Sequence, residues 1–282
     1  MVWQLLVAIS VVTYSISIIL QRLLLKDDKS DPIAYSVVFQ LLTGLIIGVY
    51  ALIRGFSVPD LVPLIPNLVL MILLYGAGNI FIFKALKLGE ASDFTILFAS
   101  RTLWIIIAAV LFLKESFTLN QTLGTFLIIA SVAIVTGKTK ILHPQKSHIF
   151  ALLGAAVFGL AFANDAFILR NFDVPSYLFI AFVAPALTVW ALNPKSTQKM
   201  KPLLQGKSLQ RLGILGVIYA VSAITIFLAY QIGRNAAQIA PLNQTSTMVT
   251  VILGILLLKE RDNLPKKLLG AVISFVGVLL LL

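Results

Sequence analysis

The sequence predicts an all-α integral membrane protein of about ten transmembrane helices, arranged as two inverted five-helix repeats. Three observations predict it. Hydrophobic residues make up 59% of the chain and charged residues 12%, against about 45–50% and about 25% in ordinary soluble domains. Separate apolar stretches repeatedly approach the roughly 20 residues that a bilayer-crossing helix needs. A residue pattern from the first half recurs in the second at a nearly constant offset.

With a mean hydropathy of +1.00, the chain has too few polar groups to cover a water-facing surface, and lipid is its natural solvent. The apolar stretches run near 2–21, 32–53, 66–88, 91–113, 118–137, 148–170, 175–192, 209–232, 236–258 and 264–282. The seventh, which holds Pro185, is marginal in length. In lipid every backbone N–H and C=O must be paired within the protein, which leaves helices or a closed barrel. Continuous apolar runs without strict alternation exclude the barrel. The first stretch lacks a basic start and a small-residue cleavage site, so it reads as a retained helix. Links are short except at 138–147 and 193–210, which makes neighbouring helices antiparallel and leaves no room for a folded soluble domain.

The net charge of +11 would suggest nucleic acid in a soluble protein. Here the basic residues sit between apolar stretches, where anionic headgroups and topology explain them. The expected partners are therefore the lipid bilayer and a small-molecule substrate, with no nucleic acid. Cysteine is absent, which excludes disulfides and thiolate metal sites. The two histidines, His143 and His148, fall in a polar linker, so neither a metal nor another cofactor is expected. There is no Ser/His/Asp set, no HExxH and no P-loop, so the chain reads as neither an enzyme nor an ATP-driven pump by itself.

The repeat is carried by named residues. Leu113-Lys114-Glu115 recurs as Leu258-Lys259-Glu260, and Tyr75, Phe83, Ala85 and Gly89 recur as Tyr219, Phe227, Ala229 and Gly233. Gly124 recurs as Gly270. Steady offsets with single-residue slips mark a duplicated unit, dividing the chain into 1–137 and 148–282 around a linker at 138–147. Five helices is an odd number, so the second copy enters the membrane upside down. Inverted repeats are a signature of secondary transporters, whose site lies between the halves.

The helix start Gly89-Glu90-Ala91, the closing Leu113-Lys114-Glu115 and the following Gly124 resemble the EamA domain. The pattern returns as Ala236-Ala237 through Pro241, Leu258-Lys259-Glu260 and Gly270. The whole chain thus resembles a two-domain EamA protein of the drug/metabolite transporter superfamily. That resemblance implies ten helices around a central cavity, alternating access and a multi-pass location in the cell membrane. The cargo it implies is amino acids, other metabolites or drugs. It also implies cytoplasmic termini, and here the charges disagree. Loops opposite the termini carry 17 Lys and Arg, against four on the terminal side. The positive-inside rule then puts both termini outside.

Arg101 falls near the middle of the fourth stretch, where an arginine costs about 2.5–3.5 kcal/mol on insertion scales and so faces a cavity or a partner. It is either an anchor for a carboxylate or phosphate through its bidentate fork, or one half of an ion pair with Asp165 or Asp93. Asp165 is the candidate for proton coupling, since a buried carboxylate can load and release a proton. Its plainer reading is a pair with Arg101 or Arg170. In the ninth stretch Asn243, Gln244 and Ser246 belong to a polar run after Pro241, at the level that Arg101 occupies in the first copy. They line a cavity or pack between helices. Tyr14, Asn79, Trp104 and Tyr219 can each hydrogen-bond a substrate, and Ser15, Ser17 and Gln40 resemble them. Each is equally ordinary as interhelical packing. Glu115 and Glu260, with lysines beside them, read as solvated boundary or loop-capping groups. Gly44 and Gly48 form a small-xxx-small pair that suits either a homodimer or packing within the chain. Besides a secondary transporter, the rival functions are a lipid or lipid-linked sugar flippase subunit and an intramembrane enzyme.

Overall fold

The computed structural model describes residues 2–26, 31–104, 107, 119–136, 145–233, 236–260 and 262–280. Its main helices are α1 (Val2–Leu25), α2 (Pro32–Arg54), α3 (Ile65–Leu88), α4 (Ala91–Phe98) and α5 (Leu119–Thr136). They are followed by α6 (Lys146–Ile168), α7 (Val174–Leu192), α8 (Gly206–Gly233), α9 (Ala236–Leu257) and α10 (Leu264–Leu280). Among the described residues there is no strand. Six segments are long and apolar enough to cross a bilayer, in α1, α2, α3, α6, α7 and α8. Shorter apolar segments, Thr122–Ser131 and Thr245–Leu257, lie in α5 and α9. The chain is a membrane protein.

Helix starts follow local chemistry. Asp31 precedes Pro32, and its carboxylate accepts the Ala34 N–H at 3.0 Å. Asp173 precedes Val174-Pro175, and accepts the Ser176 N–H at 3.1 Å and its hydroxyl at 2.7 Å. Each is an N-cap satisfying an otherwise unpaired donor, with proline where the missing N–H is harmless. Pro185 lies buried inside α7 without ending it.

The fourth stretch differs from the expected continuous helix over 91–113. α4 ends at Phe98, Ala99 and Ser100 form a turn, and helical backbone resumes at 101–104. The Ser100 and Leu103 N–H groups reach back only three residues, to Leu97 O at 3.1 Å and Ser100 O at 3.0 Å. The cause is local: the Ser100 hydroxyl donates to Leu97 O at 2.6 Å and the Thr102 hydroxyl to Ala99 O at 2.5 Å. Such side-chain bonds compete with the helical ladder and bend it.

The largest helix packings join residues of the first half to residues of the second. They are α3 on α6, α1 on α8, α5 on α10 and α2 on α7, with α1 on α9 and α4 on α6 and α9 as well. Gly44 and Gly48 belong to this pattern. A Cβ at Gly44 would lie 2.7 Å from a Val183 methyl, and one at Gly48 would lie 2.6 Å from the Phe179 ring. Their small face is therefore filled by α7 of the same chain, and not left open for a second copy.

Candidate functional site

A central cavity opens where α1, α2, α3, α6, α7, α8, α9 and the turn after α4 converge. Counted as space for the centres of water-sized spheres, it holds about 100 Å³, several times the roughly 10–15 Å³ one water needs. Its walls are largely aromatic, with Phe39, Phe98, Phe158, Phe162, Phe182 and Phe227 all contributing. They are locked edge-to-face or stacked: Phe98 on Phe158 at 5.6 Å, Phe162 on Phe227 at 5.8 Å, and Phe39 on Tyr219 at 5.1 Å.

Arg101 projects into this cavity. Its guanidinium carbon lies 4.8 Å from the Phe98 ring centre and 6.0 Å from that of Phe162, within range of cation–π attraction. Gly159 of α6 makes the placement possible, because a Cβ there would sit 2.5 Å from the Arg101 carbonyl oxygen and 2.6 Å from Trp104 Cβ. Among the described residues Arg101 forms no ion pair. Of its two readings, the ion pair with Asp165 or Asp93 is not formed, and aromatic rings support the guanidinium instead. Asp93 instead faces His148 Nε2 at 3.6 Å.

Asp165 lines the same cavity and is 1% exposed. The Tyr177 hydroxyl donates to its Oδ1 and the Tyr75 hydroxyl to its Oδ2. Neither arginine is its partner, and Arg170 lies over Phe167. Two phenol donors satisfy both oxygens of a carboxylate without neutralising it. Next to it Asn67 Nδ2 donates to Asn164 Oδ1 at 2.7 Å, and Asn164 Nδ2 returns a bond to Asn67 O at 2.9 Å.

Of the residues singled out in the sequence, Tyr14, Asn79, Arg101, Asp165, Tyr219 and Asn243 are brought together around the cavity. Asn79 donates to Gln40 Oε1 at 3.0 Å, and the Tyr14 and Tyr219 rings lie 6.3 Å apart. Trp104 is not in the lining; it is 38% exposed, with its Cβ close to Gly159 of α6. Ser246 is also outside it: buried against α1, it offers its carbonyl oxygen to the Ser15 hydroxyl at 3.2 Å. The Gln244 side chain and all of Glu115 lie outside the described residues.

Glu260 takes the capping role and not the solvated one of its two expected readings. It is 6% exposed, not solvated. Its carboxylate accepts the Ala91 N–H at 2.8 Å, the Ser92 N–H at 3.0 Å and the Ser92 hydroxyl, so it caps α4 from 169 positions away in the chain. Gly254 leaves room for it, since a Cβ there would lie 2.8 Å from Glu260 Oε2. The Lys267 ammonium pairs with Glu90 beside it and donates to Glu260 O at 3.3 Å. Sequence reasoning also passed over Tyr75 and Tyr177; Tyr75 carried a signal only as a repeat match.

The EamA-like transporter family matches the chain twice, over residues 1–137 and 145–282. A solved crystal structure shares the fold, with a TM-score of 0.65 over 99% of this chain and 96% of the other at 14% sequence identity. No curated protein matches the sequence.

Proposed function

Because the chain belongs to the EamA-like transporter family, we propose that it is a secondary transporter of small metabolites working by alternating access. It spans the cell membrane ten times, as two inverted five-helix repeats, 1–137 and 148–282. The helix packing supports this: exchanging each helix with its repeat equivalent turns α1 on α8 into α6 on α3, and α1 on α9 into α6 on α4. The same exchange leaves α2 on α7 and α5 on α10 unchanged, as a two-fold relation requires.

The observation that carries the reading is the cavity between the halves, holding a guanidinium that no described carboxylate neutralises. An arginine held this way takes a carboxylate or phosphate of the cargo through two parallel N–H bonds. The surrounding rings cover the cargo's apolar part, and the Gln40–Asn79 pair offers neutral hydrogen bonds. Asp165 exchanges a proton while its two tyrosines hold it in place, coupling transport to a proton gradient.

The test is a thermal-shift screen of the purified protein against anionic, zwitterionic and neutral metabolites, followed by counterflow in liposomes with any stabilising compound. Anionic compounds should stabilise the parent and not Arg101→Gln, and should exchange across the membrane. A compound that binds the Arg101→Gln protein as tightly as the parent would overturn the assignment of Arg101. Failure of every stabilising compound to exchange would overturn transport.

A further inference from the structure

The first turn of α4 is held on four consecutive residues, and every holder comes from the second half of the chain. Lys267 of α10 pairs with Glu90. Glu260, from the α9–α10 link, takes the Ala91 N–H, the Ser92 N–H and the Ser92 hydroxyl. His148 of α6 faces Asp93. The turn lies at the membrane face where α1 and α3 end, and there Arg22 of α1 donates to Leu86 O and Lys87 O at 2.7 and 2.8 Å. Phe98 and Arg101, the nearest cavity-lining residues on this segment, sit about 10 and 15 Å further along at 1.5 Å per residue. Between them and this face Leu25, Leu86, Ala91, Phe94 and Leu97 are all 3% exposed or less. After Gly233, the repeat equivalent of Gly89, the second repeat reads Arg234-Asn235-Ala236-Ala237, with a basic residue where the first has Glu90 and no carboxylate.

We propose that this charged clamp on the α4 start is the closure of one mouth of the cavity, and that the mouth opens when Glu260 releases Ala91 and Ser92. The inference rests on the transport reading above. A buried carboxylate cannot leave three donors for an apolar medium, because ion and donors alike would lose their partners. It can leave them only as water reaches the turn, so release of the clamp and hydration of that mouth are one event. The segment that moves carries Arg101, so opening at this face also displaces the cargo's anion contact. With no carboxylate in the matching stretch of sequence, the second mouth lacks the acidic half of this clamp.

The native chain has no cysteine, so Ser222→Cys, in the cavity wall, gives a single reporter. Its reaction with a membrane-impermeant maleimide is timed from each face of oriented vesicles. In the parent it should be slow from the clamped face. Glu260→Gln turns a carboxylate with three donors into an amide that presents a donor to donors. From that face alone it should speed labelling about tenfold, the difference between charge-assisted and neutral bonds. Ser92→Ala keeps both backbone bonds and should give a smaller, severalfold rise, which serves if the Glu260 variant does not fold. Rates unchanged within twofold in a folded variant, or raised equally from both faces, would overturn the clamp while leaving transport intact. A cysteine that reacts from neither face in any variant would overturn both.

Discussion

Replacing Asp165 tests how the cavity wall is built. Both carboxylate oxygens accept tyrosine hydroxyls in a site that is 1% exposed. Asp165→Ala therefore leaves two phenol groups without an acceptor, at about 1–3 kcal/mol each, so the loss should be about 2–6 kcal/mol. Asp165→Asn keeps one oxygen and turns the other position into a donor. One tyrosine can rotate its hydroxyl to accept, and the cost should stay at about 1 kcal/mol. Unfolding of the purified protein in mixed micelles, titrated with a denaturing detergent, measures both. A stronger check follows from the sign. In the Asp165→Ala background, Tyr75→Phe removes an orphaned hydroxyl and should recover stability, whereas in the parent it removes a bond and should cost stability. Equal losses in the Asn and Ala variants, or Tyr75→Phe destabilising both backgrounds alike, would refute the two-tyrosine cradle. The Asn variant separately tests coupling: it should fold, bind cargo and no longer respond to an imposed pH gradient. A parent-like response would remove Asp165 from that role.

Arg101→Lys keeps the charge but loses the fork and the span over two rings; cargo affinity should fall about 10–100-fold for about 1.4–2.8 kcal/mol of lost binding, with a melting temperature near the parent's. Equal damage to folding and binding would make Arg101 a packing residue. Gly159→Ala forces a Cβ against the Arg101 carbonyl oxygen, so α6 must shift at about 1–3 kcal/mol, seen as a lower melting temperature and weaker cargo binding; no change in either would mean the approach is not tight. For orientation, the charge bias expects a reporter that fluoresces only in the cytoplasm to be dark when fused after Leu282 and bright in the 193–210 linker. The reverse pattern would favour cytoplasmic termini.

What was legible in the sequence follows what is encoded locally. Apolar runs of 20 residues mark a helix wherever they fall, and an arginine amid such a run announces a cavity or a partner because lipid cannot solvate it. The caps at Asp31 and Asp173 sit one or two residues from a proline, also within reach of a short window. The break after Phe98 depends on which way two hydroxyls turn, and no periodicity records that. Asp165 was visible as an oddity, but its tyrosines were not, since Tyr75 and Tyr177 lie 90 and 12 positions away. Glu260 was legible as a capping group, but its burial and its target were not, for a related reason. A glutamate beside Lys259 at a helix end looks solvated until the start of α4 arrives from the other half. Ser246 shows the converse, a polar residue at the expected level that stays out of the cavity lining and meets α1 through its backbone carbonyl.

The pairing of helices across the halves bears on how the protein is made. While residues 1–137 are emerging into the bilayer, the partners that α1, α2, α3 and α5 will pack against do not yet exist. Each must wait in lipid, with Gly44, Gly48 and the Phe39 ring, whose partners Val183, Phe179 and Tyr219 belong to the second half, exposed to acyl chains until synthesis delivers α6 to α10. A ribosome that stalls after the first repeat therefore releases a half-molecule whose adhesive faces have no proper mate. Such a fragment is prey for membrane proteases unless the second half, supplied even as a separate chain, reaches it first.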